Sequence, residues 1–234
     1  MPVDQTIIDT LSSVTTATLT TLLLKKGLRN VWIRGAQPLR EGQPRLVGRA
    51  FTLRFVPARE DLATPESWSS PRSTRAAIEA MPAGCIAVVD AMGVVDAGIF
   101  GDILCERMHR RGVAGLVTDG VVRDRAGVLD TGLPVWCRGA AAPPSVAGLT
   151  FVNWQEPVGC GGVAVFPDDL IVVDADGAVV VPAALVDDIT AAAAEQERLE
   201  GWIMEQVSSG ESLPGLYPPN DENKARYDAY KRSL

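Results

Sequence analysis

Two dipeptides separated by a fixed gap are the clearest chemical signal in this chain. Gly101-Asp102 comes first, residues 103–122 follow, and Arg123-Asp124 ends the pattern. The gap contains a helix-like segment, 102–111, and a strand-like segment, 115–119. One right-handed unit of this size brings its two ends together, which predicts an arginine and two aspartates beside a glycine-rich helix start. Such a cluster suits a divalent metal ion and a small anionic substrate.

The glycine-rich helix start is a candidate anion site. The first amides of a helix lack intrahelical partners, and the helix dipole places partial positive charge there. Because Gly98 and Gly101 allow close approach to the backbone, we expect a carboxylate or phosphate on the amides of Ile103 and Leu104. The alternative is that Gly101 and Asp102 simply cap a helix.

The second dipeptide follows a buried strand, in the run TDGVVRD at residues 118–124. In open α/β sheets, ligands bind beyond the carboxyl ends of the strands. The side chain of Arg123 is expected to bind a carboxylate at two points, and Asp124 to supply oxygen to Mg²⁺ or a similar hard ion. A simple surface pair is the alternative for these two residues.

Composition narrows the classes of function. The chain has 234 residues, of which 47% are hydrophobic, so it is long enough for one large domain or two small ones. A net charge of −7 without a dense Lys/Arg run argues against nucleic-acid binding. No stretch approaches the roughly 20 apolar residues of a membrane helix, and the N-terminus lacks a signal-peptide pattern. We therefore expect a cytoplasmic protein without a membrane partner.

Other catalytic classes have little support. His109 is the only histidine, which makes a Ser-His-Asp apparatus or a His-rich zinc site improbable. There is no GxxxxGK[ST] loop of the kind that binds nucleotide phosphates. The cysteines form no CxxC pair and are expected to be reduced core residues; they are Cys85, Cys105, Cys137 and Cys160.

The order of predicted elements indicates an α/β fold. A parallel layer is expected in the centre and an antiparallel sheet after it. The predicted strands are 46–56, 85–90, 115–119, 134–137, 159–165, 169–174 and 178–181. The predicted helices are 2–27, 73–80, 102–111 and 183–208, with a helical turn within 121–130 and a surface loop at 61–72. We expect one domain over 1–208 and a tail over 209–234, too Pro-rich for a regular element, that packs on the surface or on a neighbouring subunit.

Residues 98–124, GIFGDILCERMHRRGVAGLVTDGVVRD, resemble the family of regulator of ribonuclease activity A and the class II 4-hydroxy-4-methyl-2-oxoglutarate aldolases. The similarity covers residues 7–198 and is strongest in the central third. The resemblance implies an α/β/β/α sandwich with a swivelling β/β/α-like core. It also implies a homotrimer, or a homohexamer built as a pair of trimers, with sites near the subunit boundaries.

The resemblance also implies roles for the site residues. In the aldolases of this family, the aspartate matching Asp124 holds Mg²⁺ or Mn²⁺, whose coordination shell is largely water. The arginine matching Arg123 contacts the pyruvyl group, and the aspartate matching Asp102 orders metal-bound water. Backbone amides matching Ile103 and Leu104, which follow Gly101, cradle the substrate carboxylate. Arg123 and Asp102 are thus the expected catalytic residues.

The chemistry of these residues favours a metal-dependent aldolase. Cleavage of a small 4-hydroxy-2-oxo acid to pyruvate leaves an enolate, whose negative charge needs a divalent ion and fixed cations. Loss of CO₂ from oxaloacetate gives the same enolate, so decarboxylation is an expected side activity. Two alternatives are a non-catalytic regulator that binds a ribonuclease or another protein, and a dehydratase or hydrolase of a related 2-oxo-3-deoxy sugar acid. Arg72, Asp90 and Asp96 are further candidate pocket residues.

Overall fold

The computed structural model describes residues 4–233. The helices are α1 (Gln5–Ser13), α2 (Thr16–Lys25), α3 (Thr74–Ala80), α4 (Asp102–Arg110), α5 (Arg125–Asp130), α6 (Val186–Ser208) and α7 (Asp221–Lys231). The strands are β1 (Gln37–Pro38), β2 (Leu46–Pro57), β3 (Ile86–Asp90), β4 (Gly115–Thr118), β5 (Val135–Cys137), β6 (Leu149–Trp154), β7 (Leu170–Asp174) and β8 (Gly177–Val181). The predicted α/β class is confirmed.

Strand β2 connects a parallel sheet to an antiparallel hairpin. Strands β2, β3, β4 and β5 lie side by side in parallel, and β1 adds an antiparallel edge next to β5. The first third of β2 pairs with β7 of the β7–β8 hairpin, and its last third pairs with β6. Every residue of β3, β4 and β5 is buried, as expected for parallel strands covered on both faces.

Three apolar clusters show the layers of the sandwich. One cluster fills the space between α3, α4 and α5 and one face of the parallel sheet. A second lies between the other face of that sheet and the β7–β8 hairpin. The third joins the outer face of the hairpin to α1, α2 and α6. The order of layers is therefore helix, sheet, sheet, helix, as the resemblance implies.

The predicted N-terminal helix is in fact two helices. The chain breaks at Val14, and the hydroxyl of Thr15 accepts the amide of Thr18 to start α2. Such a side-chain cap begins a new helix because it satisfies an otherwise unpaired amide. Residues Pro2 and Val3, where the helix was predicted to begin, lie outside the described residues. In the described part of the chain no single helix has the length and apolarity to cross a membrane; α1 and α2 together do, across a bend of 104°.

The prediction of an irregular tail is wrong. Residues 221–231 form α7, which Asn220 caps by accepting the amide of Asn223. Tyr227 of α7 packs with Trp202 of α6, with ring centroids 5.6 Å apart. The helix follows a Pro-rich turn and has Tyr227 as its one buried residue, so no periodic apolar pattern marks it in the sequence. The division of the chain at residue 208 stays a prediction.

The strand predicted at 159–165 is also wrong. Residues Cys160–Gly162 form a 3-10 turn, and the only pairing is an isolated bridge between Val158 and Val165. Gly161 has φ of +56°, and a Cβ there would lie 2.6 Å from the backbone of Arg34. Left-handed backbone pressed against another segment requires glycine and ends a strand. All four cysteines are buried free thiols, as predicted.

Candidate functional site

The candidate site lies where β3 and β4 end. The segment after β3 leads into α4, and the segment after β4 leads into α5. Backbone bonds join the two segments: the Ile99 amide donates to the Val121 carbonyl and the Arg123 amide to the Phe100 carbonyl, both at 2.9 Å. The two dipeptides of the sequence pattern are therefore held side by side at the carboxyl edge of the parallel sheet, where ligands bind in this class of sheet.

Two glycines make the close approach of these segments possible. A Cβ on Gly101 would lie 2.7 Å from Oδ2 of Asp124, and a Cβ on Gly127 would lie 2.8 Å from Cβ of Asp102. Each aspartate thus lies against a glycine of the opposite segment. A larger residue at either glycine would displace a carboxylate of the site.

Arg123 and Asp124 form a fixed pair at the start of α5. Arg123 Nε donates to Asp124 Oδ2 at 3.0 Å, and the side chains are 36% and 46% exposed. Asp124 has φ of +53° and ψ of +47°, a left-handed conformation that costs a non-glycine residue about 1–3 kcal/mol. Such conformations persist only where the surrounding structure holds them in place. They cluster at functional sites.

The start of α4 faces the same space. The Cys105 amide makes the first intrahelical bond, to the Gly101 carbonyl at 3.0 Å. The amides of the preceding turn have no carbonyl partner within the helix. Asp102 Oδ1 accepts the Ile103 amide at 2.7 Å, so a carboxylate already occupies one position of the expected anion site. An incoming anion would share or displace this contact.

One cavity of about 270 Å³ is lined by all the residues that the sequence predicted to act in catalysis, substrate binding or metal binding. We call one side of it the inner wall, which consists of Gly98, Ile99, Gly101, Asp102, Ile103, Leu104, Arg123 and Asp124. Residues 102 and 124, distant in sequence, therefore border a single space. The individual roles of these residues stay predictions.

Sequence reasoning missed the rest of the cavity lining. We call it the outer wall, which consists of Trp68, Thr74, Arg75, Pro144 and Ser145. The Arg75 guanidinium lies over the Trp68 ring, 5.0 Å from its centroid. Trp68 belongs to a 3-10 helix, Pro65–Ser69, inside the predicted loop. The tryptophan itself, in an otherwise Ser/Pro-rich segment, was the sequence signal that could have indicated this part of the lining.

The other candidates lie elsewhere. Asp90 is buried and structural: its carboxylate accepts the amides of Met92 and Gly159, each at 3.0 Å. Asp96 is exposed and is not among the residues that line the described cavity. Arg72 lines a neighbouring cavity. His109 is exposed near the opposite end of α4 from the site.

Two buried ionisable groups lie near the site in the sequence, Asp119 directly after β4 and Cys105 within α4. Asp119 accepts the amides of Ala91 (2.8 Å) and Gly161 (3.0 Å), and burial raises the pKa of its carboxyl group above the ordinary value. Burial, with a smaller contribution from the charge of Asp102, raises the pKa of Cys105 to about 12. Cys105 is therefore a protonated core thiol and not a nucleophile of the cavity.

The donor set fits a hard divalent ion with a largely aqueous shell. Residues 4–233 contain no group of three or more His, Cys, Asp or Glu side chains placed to hold a metal. Asp124 has one carboxylate oxygen bound by Arg123 and is 46% exposed to solvent. Mg²⁺ is commonly held by one or two carboxylates and keeps several waters, so Asp124 is the residue that would hold it.

Comparison with known proteins identifies the family. The model described as "RraA-like: Aldolase/RraA" matches residues 6–180. The chain belongs to the RraA-like family. A Halalkalibacterium halodurans protein named "Putative 4-hydroxy-4-methyl-2-oxoglutarate aldolase" is 39% identical over 109 residues, which are 46% of this chain and 50% of that protein. The chain thus spans half the length of this curated relative.

Two solved structures share the fold over most of their length. Streptomyces coelicolor RraAS2, described as an unusual member of the RNase ES inhibitor RraA protein family, is 35% identical with a TM-score of 0.77. The match covers 86% of this chain and 97% of RraAS2. An uncharacterized protein from Pseudomonas syringae pv. tomato is 28% identical, also with a TM-score of 0.77, over 93% of this chain and 99% of that protein.

Proposed function

We propose that this protein is a divalent-metal-dependent aldolase that cleaves a small 4-hydroxy-2-oxo acid to pyruvate and decarboxylates oxaloacetate as a side activity. The observation that carries the proposal is the convergence of Gly101-Asp102 and Arg123-Asp124 on one cavity at the start of α4. The aldolase name of the Halalkalibacterium relative supports the same reaction class.

Different residues of the inner wall bind the substrate and stabilise its developing charge. Amides at the start of α4 hold the substrate carboxylate. The Arg123 guanidinium holds the oxygen on which negative charge develops. Bound at Asp124, Mg²⁺ or Mn²⁺ would act as a Lewis acid toward the 2-oxo acid. The Arg123–Asp124 hydrogen bond, and the packing of the Asp124 carboxylate against Gly101, hold these side chains in position before substrate binds.

The reaction breaks the C3–C4 bond of the acid. The electron pair of that bond stays on the pyruvyl half as an enolate, while the 4-hydroxyl group loses its proton and becomes a carbonyl. Asp102 orients a water molecule that accepts this proton and returns one to C3, which completes pyruvate. The mechanism needs no lysine Schiff base.

Pyruvate release tests this proposal directly. Purified protein with Mg²⁺ or Mn²⁺ should release pyruvate from a 4-hydroxy-2-oxo acid or from oxaloacetate, and EDTA should stop the release. Arg123→Ala should lower turnover by about 10²–10³ without loss of fold. Arg110→Ala is the matched control, because Arg110 is 73% exposed at the far end of α4. Full activity of Arg123→Ala, or no pyruvate with either metal, would contradict the aldolase.

A second candidate is a non-catalytic regulator that binds a ribonuclease. The similarity to RraAS2, a member of a ribonuclease-inhibitor family by its description, favours it. Binding through the outer surface of the protein would not depend on the cavity. Capture of a ribonuclease by both the wild type and an Asp124→Ala variant, without pyruvate release by either, would establish this function instead.

We also propose that the protein assembles as a homotrimer or homohexamer. Ile103 borders the cavity with its side chain 79% exposed, and a subunit contact there would cover apolar surface next to the site. Light scattering on the purified protein measures the assembly, and a monomer at micromolar concentration would contradict it. The cytoplasmic location and the lack of nucleic-acid and membrane partners remain predictions from the sequence.

A further inference from the structure

A second, larger cavity adjoins the candidate site. Its volume is about 570 Å³, against about 270 Å³ for the first. The two cavities share Trp68, Thr74 and Ser145 as lining residues. We call the larger one the outer cavity. A ligand held by the inner wall and longer than a pyruvyl group would pass these shared residues to enter it.

Neutral hydroxyl groups dominate the polar lining of the outer cavity. Seven of its seventeen lining residues are serine or threonine, and its only ionic side chains are Asp61 and Arg72, of opposite sign. Asp61 is itself paired with Arg59 at 2.6 Å. Because Arg59 already pairs with Asp61, Arg72 remains as one cation of the lining, beside seven hydroxyl groups that can partner the hydroxyl groups of a ligand.

Three of these hydroxyls are oriented by the backbone. Ser70 Oγ accepts the Arg72 amide at 3.1 Å, and Ser73 Oγ accepts the Ala76 amide at 3.3 Å. Thr150 Oγ1 accepts the Arg59 amide at 2.9 Å. Because each oxygen already accepts a bond, each O–H remains to be donated to another group.

The apolar part of the same lining combines aromatic rings with aliphatic side chains. Phe55 and Phe151 meet edge to face with centroids 5.2 Å apart, and Trp68 stands at the boundary with the first cavity. A polyhydroxylated chain presents C–H faces to such rings and hydroxyl groups to the surrounding donors. Small-molecule sites combine apolar walls with placed polar groups, and this lining has both.

We propose that the outer cavity binds the half of the substrate beyond C4, and that this half carries hydroxyl groups, as in a 2-oxo-3-deoxy sugar acid. The proposal rests on the aldolase function above, because it is the inner wall that fixes the pyruvyl end. The distal half then lies against Trp68 and donates to and accepts from the hydroxyls around Ser70 and Thr150.

The test compares three acids that share the 4-hydroxy-2-oxo head. One is a six-carbon 2-oxo-3-deoxy sugar acid, one ends in a methyl group after C4, and one ends in a carboxylate after C4. The sugar acid should have the highest kcat/KM. A Ser70→Ala/Thr150→Val double variant should lower that value by about tenfold, as expected for two neutral hydrogen bonds, and leave the methyl acid unchanged. Thr20→Val on α2, remote from both cavities, is the control.

A binding measurement separates this proposal from the aldolase function. Calorimetric titration with a 3-deoxyaldonate, which lacks the 2-oxo group, should show binding that the double variant weakens. Pyruvate release at equal kcat/KM from the sugar acid and the methyl acid would overturn the outer-cavity proposal and leave the aldolase intact. A higher kcat/KM for the acid that ends in a carboxylate, lost in an Arg75→Met variant, would also overturn the outer-cavity proposal. Binding of the deoxyaldonate without pyruvate release from any acid would support the cavity and refute the aldolase.

Discussion

The inner and outer walls of the candidate site are built in different ways. The inner wall joins two segments through backbone hydrogen bonds and through glycines that lie against opposite aspartates. The outer wall comes from the connection between β2 and α3, from the first residues of α3 and from the loop after β5, with the Arg75–Trp68 contact within it. The inner wall therefore has no room for added atoms at its glycines, whereas on the outer wall the Arg75–Trp68 contact can be removed by a single substitution.

This difference suggests a division of labour. Groups that must meet a developing charge need a position fixed to a fraction of an ångström, and backbone contacts supply it. Groups that only select the distal part of a substrate can stand on loops that vary without harm to the fold. Substitutions in the two walls should then separate turnover from selectivity.

After that of Arg123→Ala, the largest effect is expected from Gly101→Ala in the inner wall. The backbone at Gly101, φ −109° and ψ −171°, suits alanine, so the conflict lies in the contacts of the new Cβ, 2.7 Å from Oδ2 of Asp124 and 3.3 Å from Cγ of Arg123. The carboxylate is the movable end of a side chain and will shift, which should preserve the fold and lower pyruvate release by about 10². Thermal unfolding and steady-state rates on the same sample measure both quantities.

Gly201→Ala is the matched control for that change. Gly201 lies within α6, and a Cβ there meets nothing within 4 Å. Alanine in a helix interior should stabilise the protein by up to about 1 kcal/mol and leave the rate unchanged. Equal rates for the two variants would mean that the position of Asp124 is irrelevant to turnover.

A smaller effect, on stability, is expected from Asp119→Asn, directly after β4. The carboxylate of Asp119 accepts two amides, from Ala91 and Gly161, and an asparagine can accept only one of them with its single oxygen. One buried amide then lacks its partner, which costs about 1–3 kcal/mol. Chemical denaturation at neutral pH measures this loss, and an unchanged midpoint would contradict it.

The same pair of proteins should differ in pH dependence. The pKa of Asp119 is raised in the folded state, so this group's stabilising contribution is complete below the unfolded-state pKa and declines as the pH rises through the folded-state pKa. The free energy of unfolding of the wild type relative to Asp119→Asn should therefore fall as the pH rises above the ordinary pKa of an aspartate. A relative free energy that rises over this window would show that the pKa is lowered.

The sequence predicted the inner wall because its signals are local. Buried apolar runs identify β3 and β4, and glycine and aspartate residues mark where those strands give way to α4 and α5. The spacing from Gly101 to Asp124 then follows from one strand–helix–strand unit. The chemistry of the site could be read from residue types because each functional side chain belongs to one of these two junctions.

The parts that were missed depend on contacts between distant segments. The turn at Gly161 is set by the backbone of Arg34, and α7 is held by Trp202 on another helix. Strand β6 pairs with the end of β2 although only its first residue is fully buried, so no alternation marks it. Trp68 and Ser145 are far apart in sequence, and only the folded chain places them on one wall.

The smallest effect is expected from Arg75→Met in the outer wall. The described residues include no carboxylate within ion-pair distance of Arg75, and its contact with Trp68 at 5.0 Å is a cation–π interaction worth about 0.5–1 kcal/mol at an exposed site. The variant should lose no more stability than that and should release pyruvate from the methyl-ended acid at a rate within about fivefold of wild type. Thermal unfolding and initial rates, run beside Arg123→Ala, measure the contrast between the two arginines of the cavity. A loss of about 10² in Arg75→Met would place Arg75 among the groups that stabilise developing charge, and the functional distinction between the two walls would be wrong.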